Sequence, residues 1–369
     1  MGVMDDGVVS CALDTLREDI ISSLLKQGFS LEGEKLCPPN FSSKEEIRQF
    51  YRDARQRKLE RNRKWLSGEE DKLIRHFANG SEIEPEKIRP TLELIDTERK
   101  AKIFRYASLL WSVPVSDRCG RRARFLVWDE SNGKLIGIFA IGDSIFNLGP
   151  RDKWIGWDKE EKTERLRYVM DIYVLGAVPP YSFLLGGKLV ALLAASDETR
   201  ETIRRKYGSH LALLTTTSAL GRSSIYNRIS VNGRKVYISV GYTKGYGLPL
   251  FPEELLEIIR EVGRGDGPQC VYEGGSCWTL GVLKRGFRKL GLSSRPLRHG
   301  IRREVFVVPL AENAREFLRG VAPAPMYHNM PAEMLFGYFK ERWLMPRAER
   351  DKRYRDFDRE SLRLTKYLT

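Results

Sequence analysis

The chain has 369 residues, 30% of them charged and 41% hydrophobic, and a net charge of +14. That length holds one large or two ordinary domains, and the composition is that of a folding chain, not a disordered one. No apolar run is long and uncharged enough to span a bilayer. The acidic start, Met1-Gly-Val-Met-Asp-Asp6, has no basic and apolar signal region, and Asp6 stands where a myristoylation motif wants Ser or Thr. The expectation is a cytoplasmic protein with no membrane partner. Five cysteines, Cys11, Cys37, Cys119, Cys270 and Cys277, form no CxxC and read as reduced thiols. His76, His210, His299 and His328 show no ligand spacing, so no metal is expected. The residues alone name no cofactor. The positive charge points to a polyanion, with DNA or RNA the first candidate.

In chain order, Ser43-Lys-Glu-Glu46 reads as a capping box, followed by Ile47, Phe50, Tyr51 and Ala54 at helical spacing. Arg48, Arg52, Arg55, Arg57, Lys58, Arg61, Arg63 and Lys64 crowd that helix, as a solvated face or as a phosphate-tracking one. A second helix is predicted from Ser67-Gly-Glu-Glu70 to Gly80, and a third over Thr97 to Leu110. Arg124–Trp128 and Leu135–Ile141 flank turn residues Asp129 to Gly133 and predict a β-hairpin. Arg151 to Trp157 reads as a loop with two tryptophans and two basic groups, Arg151 and Lys153. Tyr168–Leu175 predicts a third strand, broken by Val178-Pro-Pro-Tyr181.

Leu185, Leu189, Leu192 and Leu193 mark a helix face. Asp197 caps a further helix that Gly208 ends, and Leu211–Thr217 and Lys235–Gly241 read as strands. Helices are expected over Pro252–Val262 and Thr279–Leu290, a strand over Glu304–Leu310, and an exposed basic helix or tail over Lys340–Thr369. The strand–helix–strand crossover implies an α/β fold, a mixed sheet with helices on both faces. The expected division is a basic helical N-terminal region (1–114), an α/β core (115–262) and a C-terminal region with helices, a candidate added strand and a basic tail (263–369). Gly263 to Gly275 is the candidate hinge.

This element order resembles the N-acetyltransferase-like fold, in which the central strand splays from its neighbour and the next loop and helix N-terminus hold a cofactor pyrophosphate. The resemblance puts that loop at Val178–Lys188 and makes Gly186, Gly187 and Lys188 the candidate cofactor residues. The fold's usual pattern has Gln or Arg where this chain has Phe183, and a small residue where it has Lys188, so tight acetyl-CoA binding is not expected. A sharper resemblance rests on Met170-Asp-Ile-Tyr-Val-Leu-Gly-Ala-Val-Pro-Pro-Tyr181, Thr215-Thr-Thr-Ser-Ala-Leu-Gly-Arg-Ser-Ser-Ile-Tyr-Asn-Arg228, Val240-Gly-Tyr-Thr-Lys-Gly-Tyr-Gly247, Leu297-Arg-His-Gly-Ile-Arg-Arg-Glu-Val305 and Glu341-Arg-Trp-Leu-Met-Pro-Arg-Ala348. Over roughly residues 40 to 350 the chain resembles the DruA family of the Druantia anti-phage systems. That implies a defence role alongside other defence proteins, and no particular reaction. The Ser-Ile-Tyr-Asn turn with Val-Gly-Tyr-Thr-Lys-Gly is also similar to the Mom-type DNA-modification proteins, which act on adenine.

The site candidates follow. Asp171, mid-strand in an apolar run, is a candidate base or orienting group, because a carboxylate there is costly unless paired or used. Ser223 and Ser224 are candidate caps or reacting groups, and Tyr226 and Asn227 stand beside them; Asn suits adenine. Arg151, Lys153, Arg222, Arg228, Lys244, Arg298, Arg302 and Arg303 are candidate phosphate contacts, and Tyr246 a candidate base-stacking ring. Trp154 and Trp157 read better as core. Two classes stay open: an enzyme modifying or processing DNA or RNA through Asp171 and Ser223–Asn227, and a non-catalytic nucleic-acid-binding subunit.

Overall fold

Seven strands build one mixed sheet: β1 (Pro90–Leu94), β2 (Arg122–Asp129), β3 (Lys134–Asp143), β4 (Val169–Ala177), β5 (Leu213–Thr217), β6 (Ile238–Tyr242) and β7 (Glu304–Pro309). The computed structural model describes residues 6–33, 35–115, 120–247, 251, 253–264, 276–292 and 297–368. The strand order is β6-β7-β5-β4-β3-β2-β1. Every pairing is antiparallel except β4 with β5, which is parallel and spans three residue pairs, Val169–Leu213, Met170–Leu214 and Asp171–Thr215.

Strand β3 is buried at every residue but its first and last, and β2 at most of its inner positions, because helices cover both faces of the sheet. Helix Gly186–Ala194 presses Leu189, Val190, Leu192 and Leu193 onto one face, each at most 2% exposed. Burial of such side chains is worth roughly 1.5–3 kcal/mol apiece. Gly137 permits this close approach: a Cβ there would come within 2.8 Å of Val190 Cγ2 and 2.4 Å of the Gly176 carbonyl oxygen. Helices Arg63–Leu73 and Glu98–Leu109 cover the opposite face.

The chain divides into two compact units, Met1–Asp53 with Lys244–Arg303, and Ala54–Thr243 with Glu304–Thr369. The second unit holds the whole sheet. In the first, helices Glu253–Arg264 and Ser276–Lys289 pack closely. A Cβ on Gly263 would meet the Val282 carbonyl oxygen at 2.1 Å, and one on Gly286 the Ile259 carbonyl oxygen at 2.4 Å. Small side chains at both positions therefore set how near the two backbones lie.

Several elements differ from the sequence reading. Strand β1 falls between two predicted helices, in a region read as helical overall and assigned no strand; it is short, half-buried throughout, and begins with a proline, which an edge strand tolerates. Residues Gly149–Ile155 form a helix where a loop was expected, with Pro150 in its first turn. The second predicted helix starts earlier, at Arg63, and passes into a 3-10 turn, Ile74–His76, ahead of Gly80. Ser196, not Asp197, caps the helix Asp197–Tyr207. The stretch Gly263–Gly275, read as a hinge, lies almost wholly outside the described residues.

The C-terminal stretch is not an exposed tail. Tyr354 and Leu364 are 2% and 1% exposed. The Gly80 N–H donates to the Phe357 carbonyl. Glu70, 3% exposed, accepts from the Tyr106 hydroxyl at 2.9 Å and from the Leu364 N–H and Thr365 hydroxyl. The basic residues that suggested a tail alternate with these anchors. Glu70→Ala is expected to destabilise the protein by at least about 2 kcal/mol, because it strands buried donors. A thermal midpoint equal to the parent's would show that the C-terminal segment is not held this way.

Candidate functional site

The three-pair limit of the parallel β4–β5 pairing begins the site. At its last pair, Asp171 is 6% exposed and its carboxylate accepts from the Ser144 hydroxyl at 2.5 Å, the Ile145 N–H at 3.1 Å and the Thr215 hydroxyl. Ser144 in turn accepts from Arg151 at 2.7 Å. Arg151 is fully buried and spends all five donor hydrogens within the unit, on Ser144, the carbonyls of Ile145 and Phe146, and twice on Asp152. Burial on this scale withdraws it from phosphate contact; its task is to tie helix Gly149–Ile155 to the end of β3. Lys153 on the same helix is exposed. Trp157 donates to the Leu318 carbonyl, and Trp154 lies under Arg315, so both tryptophans are packed.

Past the parallel pairs, β5 leads to the polar turn at Ser218–Ile229. Ser223 Oγ accepts from the N–H groups of Ile225 and Tyr226 at 3.2 and 3.0 Å and so caps the 3-10 turn Tyr226–Arg228. Ser224 is exposed. Tyr226 is buried, stacked on Tyr237 with ring centroids 4.8 Å apart, and burial pushes its hydroxyl up to about 12. The Asn227 amide donates to the Ser223 carbonyl at 2.9 Å and to both carboxylate oxygens of Glu304.

Glu304 is the residue the sequence reading missed. It is 4% exposed and also accepts from the Ser223 N–H at 2.9 Å and the Ser239 hydroxyl at 2.8 Å. The signal was present: a carboxylate opens the apolar run Glu304-Val-Phe-Val-Val308, the same pattern that drew attention to Asp171. The two carboxylates do the same work, organising loops at strand ends through neutral donors.

The predicted cofactor loop meets this turn. Lys188 Nζ donates to the Ile225 carbonyl at 3.3 Å and lies 5.1 Å from the centre of the Trp343 ring. A Cβ on Gly187 would reach Ile225 Cδ1 at 3.3 Å. Gly186 is a packing position, where a Cβ would strike the Tyr181 carbonyl oxygen at 2.7 Å. The loop's N–H groups are largely committed: those of Ser182, Phe183, Leu184, Gly186 and Lys188 donate to carbonyls of residues 178 to 185. Phe183 lies against Phe357, its carbonyl accepts from Arg347, and Arg353 sits over its ring. A pyrophosphate needs free, converging N–H groups, and this loop offers few.

What remains presented to solvent is cationic. Arg222 and Arg228 flank the turn, both exposed. In the first unit, Lys244 and Arg298 are exposed, and Tyr246 is 56% exposed and bridged to Arg298 through the backbone. Arg302 is exposed, whereas Arg303 is half-buried and donates to the Tyr51 hydroxyl at 2.6 Å. The His299 imidazole, lowered to about 4 by burial and by Arg303, accepts from the Ile301 N–H. Among the described residues, no cluster of three His, Cys, Asp or Glu side chains could hold a metal ion, and no helix is long and apolar enough to cross a membrane.

Comparison with known proteins places the chain. The family model described as Druantia protein DruA matches residues 42–320. The chain belongs to the DruA family. It is 38% identical over 358 residues to the Druantia protein DruA of Escherichia coli (strain UMEA 4076-1), a match covering 92% of this chain and 89% of that protein. No solved structure matches it. The polar turn, the Asp171 strand and residues 244–246 and 298–303 all fall within the matched residues.

Lys188 gives this site a pH signature. Burial, with Arg228 and Arg342 nearby, lowers its amine to about 8. In the unfolded chain a lysine holds its proton to about 10.4. The charged form therefore penalises folding fully below pH 8, and stability gains as pH rises from 8 to about 10.4. Lys188→Met should melt higher than the parent at pH 7, with the difference shrinking across that window. A variant that melts lower at pH 7, or a difference independent of pH, would contradict the burial of this amine.

Proposed function

We propose that the protein is the nucleic-acid-binding component of a Druantia anti-phage system, acting with other defence proteins and contacting phosphates through Arg222, Arg228, Lys244, Arg298 and Arg302. One observation carries this reading: exposed guanidinium groups flank a rigid, internally hydrogen-bonded turn. Arg222 and Arg228 are exposed, while Ser223, Tyr226 and Asn227 between them are spent on capping, stacking and Glu304. A turn so braced presents its two planar forks in a fixed arrangement, which suits phosphate oxygens. The net charge of +14 supplies the long-range attraction. Tyr246, exposed beside Arg298, is suited to stacking on an unpaired base.

We infer further that the core of the second unit is acyltransferase-like. It is supported by the parallel pair β4–β5 that parts after three residues, followed by a loop and a helix N-terminus. The loop's committed N–H groups argue against acyl-CoA as its ligand. A modifying or processing enzyme is the second reading, and Lys188 is what favours it. An amine lowered to about 8 beside the turn is poised to lose a proton near neutral pH.

The test is binding of fluorescent single- and double-stranded oligonucleotides across a salt series. Affinity should fall steeply with salt, and the Arg222→Gln/Arg228→Gln double variant should flatten the slope by roughly 0.7–0.9 for each phosphate that is no longer neutralised. Absence of binding at low ionic strength would end both readings. Micromolar binding of acetyl-CoA by calorimetry would restore the acyltransferase reading.

A further inference from the structure

A second cavity lies in the sheet-bearing unit, away from the polar turn in sequence and composed of different residues. Its volume is about 620 Å³, within the range of small-molecule sites, about 300–1,000 Å³. Among the described residues, five basic side chains line it, Lys58, Lys102, Arg105, Arg122 and Arg124, and one carboxylate, Glu98. Three rings, Trp65, Phe104 and Tyr173, complete its walls. A lining with this excess of basic over acidic side chains favours an anion.

The walls show how the charges are held. The Arg105 guanidinium carbon lies over the Trp65 ring, 4.3 Å from its centre, and its Nε and Nη2 both donate to the side-chain oxygen of Asn62. Asn62 is buried and donates to the Lys58 carbonyl at 2.6 Å. The Arg105 guanidinium is thus fixed in plane by a neutral amide, and its charge is not cancelled by that partner. Arg124 sits over the Phe104 ring at 5.7 Å. Lys102 pairs with Glu69 at 3.1 Å and Glu98 at 3.6 Å. Trp65 and Tyr173 are half-buried.

Guanidinium groups beside aromatic rings in one cavity match one ligand chemistry: a flat heteroaromatic base joined to phosphate. We propose that this cavity binds a nucleoside phosphate, either as a free nucleotide or as the end of a strand. The base stacks on Trp65 or Tyr173, and Arg105 and Arg124 take the phosphate oxygens. This site does not depend on the polar-turn reading, since a free nucleotide can bind here even if long nucleic acid does not bind the protein.

Calorimetry on the full chain tests it with four probes: AMP, ATP, inorganic pyrophosphate, and a hexanucleotide with or without a 5′-phosphate. Nucleotide binding is expected, weakened about tenfold or more by Arg105→Gln or Arg124→Gln, the loss that one charge-assisted pair carries. Arg205→Gln, an equal charge change on an exposed helix position, should leave it unaltered. Trp65→Leu should weaken ATP and spare pyrophosphate. Melting curves guard against misfolding, and Arg105, being exposed, is the variant least able to disturb the core. Preference for AMP or ATP over the hexanucleotides identifies a free nucleotide as the ligand. Preference for the 5′-phosphorylated strand identifies a strand end. No nucleotide binding at millimolar concentration, binding unaffected by the arginine variants, or pyrophosphate binding as tight as ATP would overturn the proposal.

Discussion

The parallel pairing of β4 and β5 ends at Asp171, and much of the second unit is arranged around that carboxylate. It joins three elements that are far apart in sequence: the end of β3 through Ser144 and Ile145, β4 on which it sits, and β5 through Thr215. Buried without a hydrogen-bond partner, a carboxylate would cost several kcal/mol. Supplied with three donors, it becomes a clamp. Arg151 extends the clamp, and its burial is possible only because every one of its donors finds an acceptor. Where the clamp stops, β4 and β5 part, and the loop and turn that follow them meet at Ile225.

Glu304 repeats the arrangement on the other side of β5. It gathers the Ser223 N–H, the Asn227 amide and the Ser239 hydroxyl. The polar turn that looked like a reacting centre is in large part a structure organised by this carboxylate. Its Ser223 hydroxyl and Asn227 amide are spent on neighbours, and its guanidinium groups are exposed. That division explains why a short turn carries so many polar side chains: some hold it, and others are held out.

The sheet was largely legible in the sequence because β2, β3, β4 and β7 are apolar runs with clear turn residues between them. Asp129 and Gly133 close the β2–β3 hairpin as their chemistry suggests, Asp129 through its side chain and Gly133 through a left-handed φ of 70°. Strand β1 was hidden by its leading proline and modest hydrophobicity. The C-terminal segment was hidden by its arginines, since the residues that anchor it, Tyr354 and Leu364, are spaced irregularly. For the site, residue types pointed to the right places but not to their roles. Arg151 and Lys153 are two residues apart on one helix, yet one is fully buried and the other exposed. Only the helical phase, which the loop reading lacked, separates them. The basic aromatic cavity could not be read at all, because Lys58, Arg105 and Arg124 converge only through folding.

On this reading the braced turn holds Arg222 and Arg228 out toward nucleic acid, while Asp171 and Glu304 serve the fold. Amide hydrogen exchange of the full chain, with and without a saturating single-stranded oligonucleotide, tests this most directly. The account predicts slowed exchange in residues 221–229 and in 242–247 on binding, with no change along β4 around Asp171, whose amides are already protected in the free protein. Protection that skips both segments, or an opening of β4 on binding, would contradict it.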